Sequence, residues 1–182
     1  MIKKSEKIFE KALPLQEGHI NQPKNYLIRK ATNLSNQTHI VPPNIDHLII
    51  LASYKLPRTS TGFIDRVLAT AEAYNIPAVV VFNKTDLLNE KEQKQVQHYI
   101  NVYDSIGYTC LGISAEHEES VKMLKQLIKG KTNLFTGHSG VGKSTLINKM
   151  DPELNLRTGT ISDKFNKGKH TTTFAEKIPL DK

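Results

Sequence analysis

Nine consecutive residues, Gly137-His138-Ser139-Gly140-Val141-Gly142-Lys143-Ser144-Thr145, fit the spacing G-x-x-x-x-G-K-[ST] and have the chemistry of a polyphosphate cradle. Glycines at 137, 140 and 142 permit backbone conformations that a Cβ disfavours, so several N–H groups can converge on phosphate oxygens. Lys143 places an ammonium against the outer phosphates, and Ser144 offers a hydroxyl to Mg²⁺. A helix beginning at this point directs its positive end at the same anion.

A second group, Asn83-Lys84-Thr85-Asp86, has the chemistry of a guanine reader. Asp86 can accept both the ring N–H and the exocyclic amine of guanine, a donor pair that adenine lacks on that edge. Asn83 can bond the base carbonyl region and brace the phosphate loop, while the Lys84 stem can cover the ring face. A carboxylate enclosed there without its two donors would be unpaired, which disfavours ATP. The bland alternative is a plain strand-to-turn Asn-Lys-Thr-Asp, and it loses weight beside a phosphate loop.

Two weaker signals accompany these. Ser114 and Ala115 follow a strand-like run and can offer backbone N–H groups to the guanine carbonyl, although the dipeptide alone is nearly uninformative. Gly168-Lys169-His170-Thr171-Thr172-Thr173 lies downstream of the phosphate loop by about a helix and a loop. One of its threonines can coordinate Mg²⁺ and sense the terminal phosphate. Thr172 is taken as that ligand and as a charge-stabilising partner of Lys143, with Thr171 a further nucleotide contact. The run also reads simply as a β-prone opening of a strand from Phe174 to Leu180.

Positioning these groups requires strands that end at them. The apolar run Ile76-Pro77-Ala78-Val79-Val80-Val81-Phe82 predicts a strand buried on both faces, with Asn83 at its C-terminal end, where parallel α/β sheets bind ligands. Further strands are predicted over Leu48 to Ala52, Tyr108 to Ile113 and Lys131 to Thr136. Helices are predicted over Thr61 to Tyr74, Glu90 to Asp104 and Glu119 to Lys129, the last ended by Gly130, and another from Ser144 to Met150. Such alternation implies a parallel sheet with right-handed crossovers and helices on both faces.

The 182 residues suffice for one well-buried domain with an appendage. A net charge of +7, from 25 basic and 18 acidic residues, favours an anionic partner such as RNA. Lys24, Arg29 and Lys30 form one basic cluster, and Lys164, Lys167 and Lys169 another; each reads equally as a solvated surface. One cysteine, Cys110, excludes an internal disulfide framework and any Cys-rich zinc site, and is consistent with the cytoplasm. Met1-Ile2-Lys3-Lys4 is not followed by the apolar core of a signal peptide, and no run is long enough to span a bilayer.

The base-reading tetrad precedes the phosphate loop, the reverse of the usual GTPase order. In this order the chain resembles the circularly permuted ribosome-assembly GTPases of the RsgA (YjeQ) family. Pro23 to Ala31 looks like that family's link between an oligonucleotide-binding barrel and the GTPase domain; Asn44-Ile45-Asp46 with Leu48 to Ala52 looks like its first GTPase strand. Phe63-Ile64-Asp65-Arg66, the tetrad, Gly137 to Asn148 and Lys169 to Thr173 also fall where the family has counterparts, so the likeness covers most of residues 18 to 182. It implies a permuted P-loop GTPase domain over 41–182, preceded over 1–40 by a basic lead-in and a remnant or linker of the barrel.

It further implies GTP or GDP with Mg²⁺ as the bound group, a monomer, the small ribosomal subunit and its rRNA as partners, and no membrane. The activity implied is hydrolysis of GTP to GDP and phosphate in late maturation of that subunit. The family continues to a strand ending in D-x-P-G and then to a helical domain with a Cys/His zinc site, and neither occurs in these residues. Two expectations follow: an incomplete sheet flank beside Phe174 to Leu180, and mobility from about Leu156 onward. A guanine-nucleotide-binding fragment without useful turnover is therefore the alternative, and a P-loop ATPase or kinase is a remoter one.

Overall fold

The structure, a computed structural model, describes residues 24–25, 28–30, 38–40, 43–154 and 156, with backbone alone for 28–30 and 38–40. Near the start, β1 (Ile28–Lys30) pairs antiparallel with β2 (Thr38–Ile40), Arg29 lying opposite His39. Asn25 fastens this region to the main domain. Its Oδ1 accepts from the Ile45 amide and its Nδ2 donates to the Ile45 carbonyl, both at 2.8 Å.

The sheet that carries the site is four-stranded and parallel. Its strands are β3 (His47–Ser53), β4 (Ala78–Asn83), β5 (Thr109–Gly112) and β6 (Asn133–Thr136), in the spatial order β5-β4-β3-β6. The sequences HLIILAS and AVVVFN are apolar nearly throughout because both faces are covered. Four helices supply the cover: α1 (Thr61–Ala73), α2 (Glu90–Ser105), α3 (Glu118–Ile128) and α4 (Lys143–Met150).

Alternate strand residues feed two separate cores. Ile50, Ala52, Val80 and Phe82 pack with Ile64, Leu68 and Ala71 of α1 and with Val96 and Tyr103 of α2. Ile49, Leu51, Val79 and Val81 pack with Val121, Leu124 and Ile128 of α3 and with Leu146 and Met150 of α4. The two-faced arrangement expected from the strand-helix alternation is thus present, and chain direction explains it. From β3 through β4 to β5 the sheet grows one way, and right-handed crossovers put α1 and α2 on one face. To reach the far side of β3, α3 must return along the other face. Strand order reverses between β3 and β6, and at such a switch point open parallel sheets bind ligands beyond the strands' C-terminal ends.

Local signals set the helix boundaries. Ser60 caps α1 by accepting from the Phe63 amide at 3.3 Å, and Asn89 with Glu92 forms a reciprocal capping box at the start of α2. Gly130, predicted to end α3, lies just beyond it in the left-handed region at φ +69°. β6 starts two residues later than predicted, at Asn133, because Thr132 is held by Asp46 from the segment before β3. Its N–H donates to Asp46 Oδ2 and its carbonyl accepts from the Asp46 amide, each at 2.8 Å.

The predicted lead-in from Met1 to Lys11, the threonine run and the strand from Phe174 to Leu180 lie outside the described residues. Leu156, where loosening was expected to begin, is tied at both its N–H and its C=O to the Asn148 side chain at 2.8 Å. Among the described residues no helix is long and apolar enough to cross a membrane.

Candidate functional site

Asn83 ends β4 with its side chain almost fully buried, and it joins two loops far apart in sequence. Nδ2 donates to the Val141 carbonyl in the glycine-rich loop at 3.0 Å, and Oδ1 accepts from the Ala115 amide at 3.2 Å. The bracing role predicted for Asn83 is therefore visible in its hydrogen bonds. Its carboxamide uses both ends in doing so, and it also engages one of the two amides that the sequence offered to a base carbonyl. Ser114 is fully buried, and its hydroxyl accepts from the Glu116 amide at 3.1 Å, tightening the turn that presents Ala115.

The glycine-rich loop runs from the end of β6 into α4. Gly137 has φ +150°, and a Cβ there would run into the carbonyl oxygen of Leu51 on β3. Gly142, the residue before α4, has φ +101°, and a Cβ there would strike Asn83 Nδ2. Both glycines are demanded twice over, by a left-handed backbone and by the closeness of β3 and β4. Val141 between them is fully buried in the core under α3 and α4, anchoring the loop from below. His138, Ser139 and Gly140 are exposed at its crest, and Ser144 and Thr145 are half-buried in the first turn of α4.

Lysines gather around this crest. Lys143 Nζ donates to the carbonyls of Gly137 at 2.7 Å and His138 at 2.8 Å, folding back over the loop. Lys84, in the left-handed region at φ +65°, donates to Gly140 O at 2.8 Å and also to Leu56 O in the β3–α1 connection. Burial lowers the pKa of both ammonium groups, and for Lys84 the nearby Asp86 offsets part of that. Their carbonyl contacts supply what solvent does not.

Asp86 lies in the short 3₁₀ turn Thr85–Leu87, and the Thr85 amide donates to Ile113 O at 3.1 Å, which aligns the turn with the Ser114-Ala115 loop. Asp86 is exposed rather than enclosed, because its turn projects beyond the end of β4; the cost of an unpaired carboxylate would fall only on a base that covers it.

The β3–α1 connection was not singled out in the sequence. Leu56 offers its carbonyl to Lys84, Pro57 lies against Gly140, and Lys55 pairs with Glu92 of α2 at 2.6 Å. Its only sequence signal is the proline, which carries no chemistry by itself. Cys110 is buried in the core beneath α2, with its thiol pushed up to about 12 chiefly by burial, as befits a structural residue. A cavity of about 150 Å³ lies beside α1, lined by Tyr54, Arg58, Phe82 and Tyr99 among others, and none of its lining residues belongs to either nucleotide motif.

The structure thus brings the tetrad, Ser114-Ala115 and the glycine-rich loop to one end of the sheet, whereas Thr171 and Thr172 lie outside the described residues. The family model for the RsgA GTPase matches residues 20–182. The small ribosomal subunit biogenesis GTPase RsgA of Flavobacterium johnsoniae is 49% identical over 161 residues, covering 88% of this chain and 50% of that protein. Its counterpart in Phocaeicola vulgatus is 50% identical over 164 residues, covering 90% and 53%. The chain spans about half the length of the curated relatives it matches.

Among solved structures, YjeQ from Thermotoga maritima aligns with a TM-score of 0.64 at 34% identity, over 78% of this chain and 47% of that one. YloQ, described as a circularly permuted GTPase, aligns at 0.56 and 24% identity over 76% and 53%, a likeness of fold. The reversed order of motifs, the strand arrangement that still joins them and a family match running through both have one explanation: the chain belongs to the RsgA GTPase family.

Proposed function

We propose that this chain holds the guanine-nucleotide site of a GTPase that hydrolyses GTP to GDP and phosphate during late maturation of the small ribosomal subunit. The observation that carries the reading is the Asn83 carboxamide, which ties the phosphate loop to the Ser114-Ala115 loop from the base of the guanine-reading tetrad. In this reading Asp86 accepts from the base edge, the Lys84 stem covers its face, and Ser114 and Ala115 shape the carbonyl side. Residues 137–145 wrap the phosphates, and Lys143 exchanges its loop carbonyls for phosphate oxygens as the anion arrives.

The glycine-rich loop, held close against β3 at Gly137 and β4 at Gly142, has an exposed crest and leads to the Lys143 ammonium and the Ser144 hydroxyl at the start of α4, a donor set that fits a Mg²⁺-bound polyphosphate. Ser144, with Thr172 from the threonine run, would hold the cation, which when bound neutralises charge on the terminal phosphates. Lys143, the loop amides and Thr172 stabilise the charge of the transferring group, with Thr171 alongside. Residues 41–182 form the GTPase domain, and 1–40 its lead-in and linker.

The +7 charge supports contact with rRNA in a cytoplasmic, monomeric protein. Titration calorimetry with GDP and ADP tests the reading. GDP binds preferentially, and Asp86→Asn weakens it by roughly 10- to 100-fold through loss of a charged acceptor. Preferential ADP binding, or full GDP affinity in Asp86→Asn, overturns it. Phosphate release from GTP with and without small subunits tests turnover.

A further inference from the structure

Phe63 stands in the first turn of α1, a helix that carries neither nucleotide motif, yet its ring lies against the His138 ring of the phosphate loop. The centroids are 4.2 Å apart and the planes are inclined by 36°. His138 is itself exposed, and among the described residues the Phe63 ring is the partner recorded for its side chain. Its main chain is where the loop is gathered: the His138 carbonyl accepts from Lys143 Nζ at 2.8 Å and from the Val141 amide at 3.4 Å.

We propose that Phe63 is a positioning residue of the phosphate site, holding His138 so that the loop's crest and Lys143 are preset for the outer phosphates. α1 is well placed to bear on the loop because its start is fixed. Ser60 caps it, Thr59 pairs with Ser53 at the end of β3 through two hydrogen bonds of 2.8 and 3.1 Å, and Lys84 draws Leu56 toward Gly140. Without the stack, the crest of the loop would sample more conformations, and binding would carry the entropy of reordering it. That loss falls on the groups meeting the outer phosphates rather than on the base.

This inference rests on the guanine-nucleotide reading, and titration of the full chain with GDP and GMP separates the two. Phe63→Leu, which keeps an apolar contact with the core around α1, weakens GDP roughly 3- to 10-fold while GMP changes less than about twofold. His138→Ala, at an exposed position, does the same without touching the core. The double variant is no weaker than either single one, and Phe63→Tyr, which retains a ring, restores wild-type affinity. Unchanged GDP affinity in both single variants, equal losses for GMP and GDP, or losses that simply add each overturn the positioning role while leaving the nucleotide reading intact. A wild-type chain that binds no GDP overturns both.

Discussion

Each residue of the candidate site answers to its neighbours as much as to a ligand. Asn83 is the clearest case, since its truncation to Ala leaves the Val141 carbonyl and the Ala115 amide facing a cavity at the end of β4. We expect Asn83→Ala to lower stability by about 1–3 kcal/mol for the buried groups left unpaired, and to weaken GDP, read by urea unfolding and calorimetry. Gly142 provides a sharper comparison. Gly107 shares its left-handed backbone, at φ +95° against +101°, but a Cβ at 107 meets open space whereas one at 142 meets Asn83. Ala at either position bears the left-handed penalty of roughly 1–2 kcal/mol, and only Gly142→Ala should also lose nucleotide affinity. Equal GDP affinity in the two variants would show that Gly142 serves backbone conformation alone.

Individual elements are held in place by short-range polar devices at the site end of the sheet. The α2 start is the best built. Asn89 Oδ1 accepts from the Glu92 amide at 3.0 Å, Glu92 Oε2 accepts from the Asn89 amide at 2.9 Å, and the same Glu92 oxygen pairs with Lys55 of the β3–α1 connection. Asn89→Ala should cost about 1 kcal/mol, seen as a fall of a few degrees in the melting temperature. The carboxyl of Glu92 is held below its ordinary value, first by the Lys55 hydrogen bond and then by the Asn89 amide. A depressed carboxylate stabilises the fold above its unfolded pKa near 4.5 and loses that contribution as pH falls through the folded value. Glu92→Gln should therefore flatten the acid limb of a stability-pH profile below about 4.5; an unchanged limb would assign the acid sensitivity elsewhere.

For the whole molecule, the parallel sheet makes its two ends distinct. At the end away from the site, His47 on β3 lies opposite Asn133 on β6, with Lys131 Nζ 3.3 Å from its Nε2 and Asp46 adjacent. Burial first, and Lys131 second, lower its pKa from 6.5, with smaller opposing effects from Asp46 and Asn133. A neutral ring can accept from Lys131 at Nε2. The folded state resists the proton that the unfolded chain accepts, so this contribution is full above about 6.5 and declines as pH falls from there toward the folded value. Equilibrium unfolding between pH 7.5 and 5.5 should show wild-type stability falling more steeply than that of His47→Gln; parallel curves would remove His47 from the account. At the site end, ligand linkage applies to the entire fold: GDP at a hundred times its dissociation constant should add about 2.7 kcal/mol, measured by thermal melting against ADP at the same concentration.

The sequence determined the strand-helix alternation, the residues that make the core and the two nucleotide motifs, because each depends on local pattern. Apolar runs such as AVVVFN demand cover on both faces, and glycines at fixed spacing demand a particular backbone. It also carried the order of those motifs, which pointed to a permuted chain. Only the tertiary structure decided which groups meet. It left Asp86 exposed, and it made three sets of contacts across 28 to 75 residues of chain: the Asn83 carboxamide with Val141 and Ala115, Lys84 with Leu56, and Phe63 with His138. No periodicity records them, since they arise because parallel strands in the order β5-β4-β3-β6 all end on one side of the sheet, which brings loops distant in sequence together.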